Sequence, residues 1–128
     1  EENANKIKSF LDLRAWQEGH KLVLMIYDIT KQFPKEEIFG LTNQLRRAGV
    51  SITSNIAEGF SRNSYKEKLQ FYSIALGSIT EIQNQLFIAK DIGYITKEEF
   101  DKISEQAIIV NKITNGFIKK TKTIILNS

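Results

Sequence analysis

The chain has 128 residues, 41% of them hydrophobic and 26% charged, with 18 Lys+Arg against 15 Asp+Glu for a formal net charge of +3. This fits one soluble globular domain with a single core, and the mild basic excess is too small by itself to point to nucleic acid. The absence of cysteine excludes disulfides, thiolate zinc sites and cysteine nucleophiles. No apolar run reaches the ~20 residues of a membrane span and no basic-then-apolar signal opens the chain, so the expected setting is cytoplasmic with no membrane partner.

Residues 1–9, EENANKIKS, are polar and read as a flexible N-terminal segment. Helix one is expected over 13–33, where Trp16, Val23, Leu24, Ile26, Tyr27 and Phe33 recur at helical spacing. Asp12 is its expected N-cap, and the single proline, Pro34, ends it. Helix two follows at about 37–60. Wound at 100° per residue, Leu41, Leu45, Ala48, Ile52 and Ile56 form one apolar face. Val50, Ala57 and Phe60 form a second, near Thr42 and Thr53. Gln44, Arg47, Ser51, Asn55 and Glu58 make a polar stripe between them. A helix at the edge of a monomer needs one apolar face, so two faces predict a sandwiched helix, central in a bundle or between subunits.

Gly59 to Ser64 is the next break. Ser64-Tyr65-Lys66-Glu67 matches a capping box, and Leu69, Tyr72, Leu76, Ile79, Ile82 and Leu86 carry helix three to about residue 91. Gly93 is the expected stop. Thr96-Lys97-Glu98-Glu99 is a second capping box and opens helix four, about 97–121, with Phe100, Ile103, Ala107, Val110, Ile113 and Phe117 as its stripe. Short connections favour antiparallel neighbours, so the fold class is all-α, an up-down-up-down antiparallel four-helix bundle over 10–122 with a C-terminal tail, 123–128. Gly49, Gly77 and Gly116 fall inside these helices, where each costs roughly 1 kcal/mol against alanine. Close helix approach is the expected compensation.

Catalytic chemistry is not legible. His20 is the only histidine and reads as a hydrogen-bonded residue at the core edge. There is no Glu-x-x-His pair for a di-iron bundle and no P-loop, GxGxxG after a strand or HExxH. Glu81 reads as solvated, and the acidic TKEEFDKISE segment as a helix start favoured by the macrodipole. No catalytic residue, cofactor or metal is therefore assigned.

Positive charge is the one constellation that stands out. Arg46, Arg47, Arg62, Lys66 and Lys68 outweigh Glu58 and Glu67 between residues 38 and 80, with Phe60, Tyr65 and Tyr72 nearby. Lys112, Lys119, Lys120 and Lys122 follow Glu105 with no acid among them. Such cations contact phosphates and aromatics stack on unpaired bases, and the start of helix three can hold an anion. A structural reading competes and is favoured on residues alone: Arg47 ties Glu58 or a neighbouring subunit's acid, and the lysines keep the surface soluble.

DLRAWQEGHKL (12–22), IYDITKQFPKEEIFGLTNQLRRAGVSITSNIAEGFSR (26–62) and FYSIALGSITEIQNQL (71–86) give the chain its resemblance to a known family. It resembles the 23S rRNA intervening-sequence proteins, the S23 family, from Asp12 to about Ile118. The block from Gly40 to Arg62 is a long and specific pattern, from which Gly49-Val50 departs mildly. The resemblance implies a four-helix bundle that assembles as a homopentamer around a central channel and has no established enzymatic activity. It also implies a relation to the accessory variability determinant of diversity-generating retroelements, a basic pentamer that works with a reverse transcriptase and binds nucleic acid.

Taken together, the expectation is a non-enzymatic homo-oligomer that binds structured RNA, such as rRNA, or another nucleic acid by shape and charge. Arg46, Arg47, Arg62, Lys66 and Lys68 are the candidate contacts, with Lys119, Lys120 and Lys122 as a second patch. The rival is a structural module that partners a polymerase, a reverse transcriptase or a ribosome component without touching nucleic acid. In either case Gln44, Arg47, Ser51, Asn55 and Glu58 are expected to set register in the bundle or oligomer.

Overall fold

The computed structural model describes residues 7–128, so most of the N-terminal segment read from the sequence lies outside the described residues. Four helices make up the fold: α1 Arg14–Thr30, α2 Leu41–Ser61, α3 Tyr65–Asp91 and α4 Lys97–Leu126. Among the described residues there is no strand. Each helix packs on two others, in the closed order α1–α2–α3–α4–α1. Side-chain pairs give the directions. Gly19 faces Ile52 and Thr53 while Gly49 faces Val23 and Ile26. Ser51 meets Ser78 and Gln44 meets Gln85. Tyr72 meets Phe117 while Phe87 meets Phe100. Every neighbouring pair is thus antiparallel, giving the up-down-up-down bundle.

Leu22, Ile26, Leu45, Ile52, Ile56, Ile79, Ile82, Leu86, Ile103 and Val110 are fully buried and form the core. These are the expected faces of α2 and α3. The second face of α2 is only partly covered inside the same chain, with Ala57 and Phe60 half-buried. Thr42 and Gly49 are buried against α1, and Thr53 touches Gly19, whereas Val50 remains 42% exposed. A cyclic bundle gives every helix two neighbours, so two faces on α2 require no second subunit.

The helix ends depart from the sequence reading in five places, one being that α1 stops at Thr30, three residues short of the expected end at Phe33. Asp12 is not the N-cap of α1: it closes a capping box with Ser9 around a 3-10 turn, Phe10–Asp12, and α1 starts at Arg14 after an uncapped Leu13. Residues Lys35–Glu37 form a 3-10 turn rather than the first turn of α2, and the Glu37 carboxylate reaches forward to accept from the Leu41 N–H at 3.0 Å. That bond, followed by one from the Tyr94 hydroxyl, holds the Glu37 carboxyl below the usual carboxylate range. Ser64 accepts from the Glu67 N–H at 3.1 Å but the reciprocal bond is missing, so only half of that capping box forms. The Thr96–Glu99 box is complete. The proposed tail, 123–128, is mostly helix, because nothing between Lys119 and Leu126 breaks α4. Gly93, at φ +87°, ends α3 as expected.

The helical glycines do not share one role. An added Cβ at Gly49 would lie 3.3 Å from Ile26, whereas one at Gly77 or Gly116 would meet nothing within 4 Å. At Gly59 it would lie 2.6 Å from the Tyr72 ring and 3.0 Å from Phe71. Urea unfolding should therefore separate two identical substitutions. Gly59→Ala is expected to destabilise by about 1–3 kcal/mol through overpacking, and Gly77→Ala to stabilise by roughly 0.5–1 kcal/mol through helix propensity.

Candidate nucleic-acid interface

Antiparallel packing sorts the candidate cations by position along the bundle. Arg46 and Arg47 sit in the half where α1 ends and α2 begins. Arg62, Lys66 and Lys68 surround the turn between α2 and α3. Because α4 runs back alongside α3, Lys119, Lys120 and Lys122 come to this same end, where Lys68 and Lys120 line one cavity with Phe60, Tyr65 and Tyr72. The two patches of the sequence reading are therefore regrouped: Arg62, Lys66 and Lys68 join the C-terminal lysines, and Arg46 and Arg47 stand apart.

Local geometry then divides the cations into tied and free. Arg46 donates from Nε to the Thr30 hydroxyl at 2.9 Å and lies over the Tyr27 ring, fastening α2 to the end of α1. Arg62 pairs with Glu58 at 2.7 Å, one turn back, and lies over Phe71. Both partners are substantially exposed, so the ion pair itself contributes little. Lys68 donates to the carbonyls of Phe60 at 2.7 Å and Gly59 at 3.3 Å, closing the end of α2. Burial pushes its ammonium below the usual lysine range. By contrast, Arg47, Lys66, Lys119, Lys120 and Lys122 are exposed and have no ion pair among the described residues. Arg47 does not tie Glu58, since Arg62 is one helical turn from that carboxylate.

The polar stripe of α2 faces α3. The Ser51 and Ser78 hydroxyls are 2.9 Å apart. Asn55 donates to the Ser51 carbonyl at 2.8 Å and to its hydroxyl at 3.1 Å. The Gln85 amide donates weakly to Gln44 at 3.4 Å and to Glu81 at 3.3 Å, leaving its own oxygen buried and unpaired. Ser51 and Gln44 thus bond across to α3, Asn55 bonds back to Ser51 within α2, Glu58 serves Arg62, and Arg47 is exposed.

His20 departs from its expected core-edge role. It is exposed, stacks on Trp16 with ring centroids 4.7 Å apart, and has no hydrogen bond among the described residues. No cluster of three metal-ligating side chains occurs among the described residues, and no helix is long and apolar enough to cross a membrane. Phe117 was missed as a site candidate at the basic end, while Tyr72 stands beside the cations in the sequence as well as in the apolar stripe of α3. Phe117 reads as core from its helical spacing, and only its shared cavity with Lys68 and Lys120 marks it out. Burial, then the neighbouring Tyr65, pushes the Tyr72 phenol up to about 12.

Residues 11–116 match the family model described as 23S rRNA-intervening sequence protein. The chain belongs to that family. A crystal structure of a protein of unknown function from the S23 ribosomal protein family of Bacteroides thetaiotaomicron superposes with a TM-score of 0.74 at 24% identity, covering 82% of this chain and 98% of that one. At that identity the likeness shows the shared fold. No curated protein matches the chain.

The serine pair makes the α2–α3 seam testable. Ser51→Ala should cost about 1 kcal/mol, because it strands the buried Ser78 hydroxyl, and Ser78→Ala less, because Asn55 still donates to the Ser51 hydroxyl. The double substitution should cost clearly less than the sum in a denaturant-based double-mutant cycle.

Proposed function

We propose that this intervening-sequence family member is a non-enzymatic, cytoplasmic homo-oligomer, a pentamer, that binds structured RNA or another nucleic acid through the basic end of its bundle. The observation that carries the reading is the cluster of exposed cations there, Lys66, Lys119, Lys120 and Lys122, with no acid on α4 beyond Glu105. Lys66 lies in the first turn of α3, where the helix dipole disfavours a cation, so local stability does not account for it. The α4 lysines near a helix C-terminus have that structural rationale as well, and supply the rest of the positive field. Contact would be to phosphates, since no base-reading motif accompanies these residues. Arg46, Arg62 and Lys68 are already engaged within the chain and are assigned supporting roles.

Filter binding against rRNA fragments over a range of salt tests this. Affinity should fall steeply with salt, and Lys66→Gln, Lys119→Gln and Lys122→Gln should each lower the slope by about 1. Arg46→Gln should leave the slope unchanged. Absence of binding at ~50 mM salt, or binding without a slope, overturns the reading in favour of a protein-interaction module that partners a polymerase or the ribosome.

Assembly is supported by exposed apolar side chains that the chain itself leaves uncovered, above all Phe39 at 91% and Leu126 at 82% exposure. Light scattering should give about five times the 14.7 kDa of one chain; a mass of one chain overturns the oligomer.

A further inference from the structure

Between the end of α2, the start of α3 and the last turns of α4 lies a cavity of about 200 Å³. Leu13, Phe60, Phe117 and Ile124 supply apolar walls, and Lys68, Lys120, Tyr65 and Tyr72 supply the polar groups that concern a ligand. No acid lines it. Tyr72 is 2% exposed as a residue; its hydroxyl is not one of the fully buried unpaired polar atoms, so it is open to a small molecule entering the cavity. The Thr121 hydroxyl is already committed to the Phe117 carbonyl at 2.8 Å. Lys68 spends two donor directions on Gly59 and Phe60, and an ammonium has three.

The cavity therefore offers two ammonium groups and the phenols of Tyr65 and Tyr72 as donors, a lining that is apolar apart from these and the committed Thr121 hydroxyl, and no charged acceptor. A nucleobase fits this poorly, because its edge carries donors and acceptors that both need partners. An acceptor-only head on an apolar body fits well. An apolar cavity of about 150 Å³ holds benzene, so this one has room for a single ring and a short arm.

We propose that this cavity binds a small monocarboxylate with a single-ring or branched aliphatic body. The body lies against Leu13, Phe60 and Phe117, and the carboxylate meets Lys68, Lys120 and the Tyr72 hydroxyl. This goes beyond phosphate binding and does not depend on it, because Lys66, Lys119 and Lys122 lie outside the cavity lining.

The test is a titration of the full chain with 3-phenylpropionate and, separately, with its neutral amide, followed by backbone amide chemical shifts. The carboxylate should give saturable shifts confined to residues near 59–72 and 117–124, and the amide should bind at least about tenfold more weakly. Tyr72→Phe and Lys120→Gln should each weaken the carboxylate about tenfold, and Lys66→Gln should not change it. Thermal melts check that the variants fold. Lys120 is exposed, so its variant decides the matter should Tyr72→Phe fail to fold. The proposal is overturned by the absence of saturable shifts at millimolar carboxylate, by equal binding of acid and amide, or by unchanged affinity in Lys120→Gln.

Discussion

Contact between Gly59 and the Tyr72 ring is the constraint on which this bundle depends. Only a residue without a side chain lets α2 approach α3 there, since an added Cβ would overlap the ring at 2.6 Å. The approach occurs just before a short turn, so it sets the antiparallel pairing of α2 and α3 where the two helices join. From there the seam runs through Ser51–Ser78 to Gln44–Gln85. The same contact positions Phe71 under Arg62 and brings Lys68 to the last carbonyls of α2. It also presents Tyr72 to Phe117 on α4, with ring centroids 4.6 Å apart. The basic end of the bundle is built on this packing.

Positive charge in this protein serves two purposes that composition cannot separate. Arg46, Arg62 and Lys68 lie over aromatic rings and donate to neighbouring side chains or carbonyls. Their apolar stems are partly covered and their heads satisfy helix ends or close a helix–helix contact. Lys66, Lys119, Lys120 and Lys122 face solvent without ion-pair partners among the described residues. The second set, together with Arg47 in the other half of the bundle, is available to an external anion without breaking an existing bond. Arg62 and Lys68 lie at the same end as the free lysines, which concentrates positive potential there, while Arg46 and the acidic start of α4 lie at the other end, an arrangement that orients an approaching polyanion.

Much of this fold was legible in the sequence because its signals are local. The apolar period of α2 and α3, the stop at Gly93 and the Thr96–Glu99 box are written within a few residues each. Capping was misread at Asp12, where a preceding serine captured the carboxylate for a 3-10 turn. The second face of α2 was legible as a face but not as to its partner, because periodicity says that a surface is covered and not by which chain. The sequence offers Arg47 either Glu58 or a neighbouring subunit's acid as partner, yet Arg62 reaches Glu58 from the next turn.

What the sequence by itself determined is the four-helix class, the family and the existence of a basic surplus, since these rest on periodicity, a long residue pattern and composition. Which cations are free, and which distant lysines share a surface, was decided by tertiary structure alone. Lys68 and Lys120 are 52 positions apart in the chain, and they line one cavity because α4 packs antiparallel to α3. Phe117 read as a core residue until that packing made it one of the walls. Helix direction and side-chain reach, which no local pattern encodes, turn a scattered set of lysines into a site.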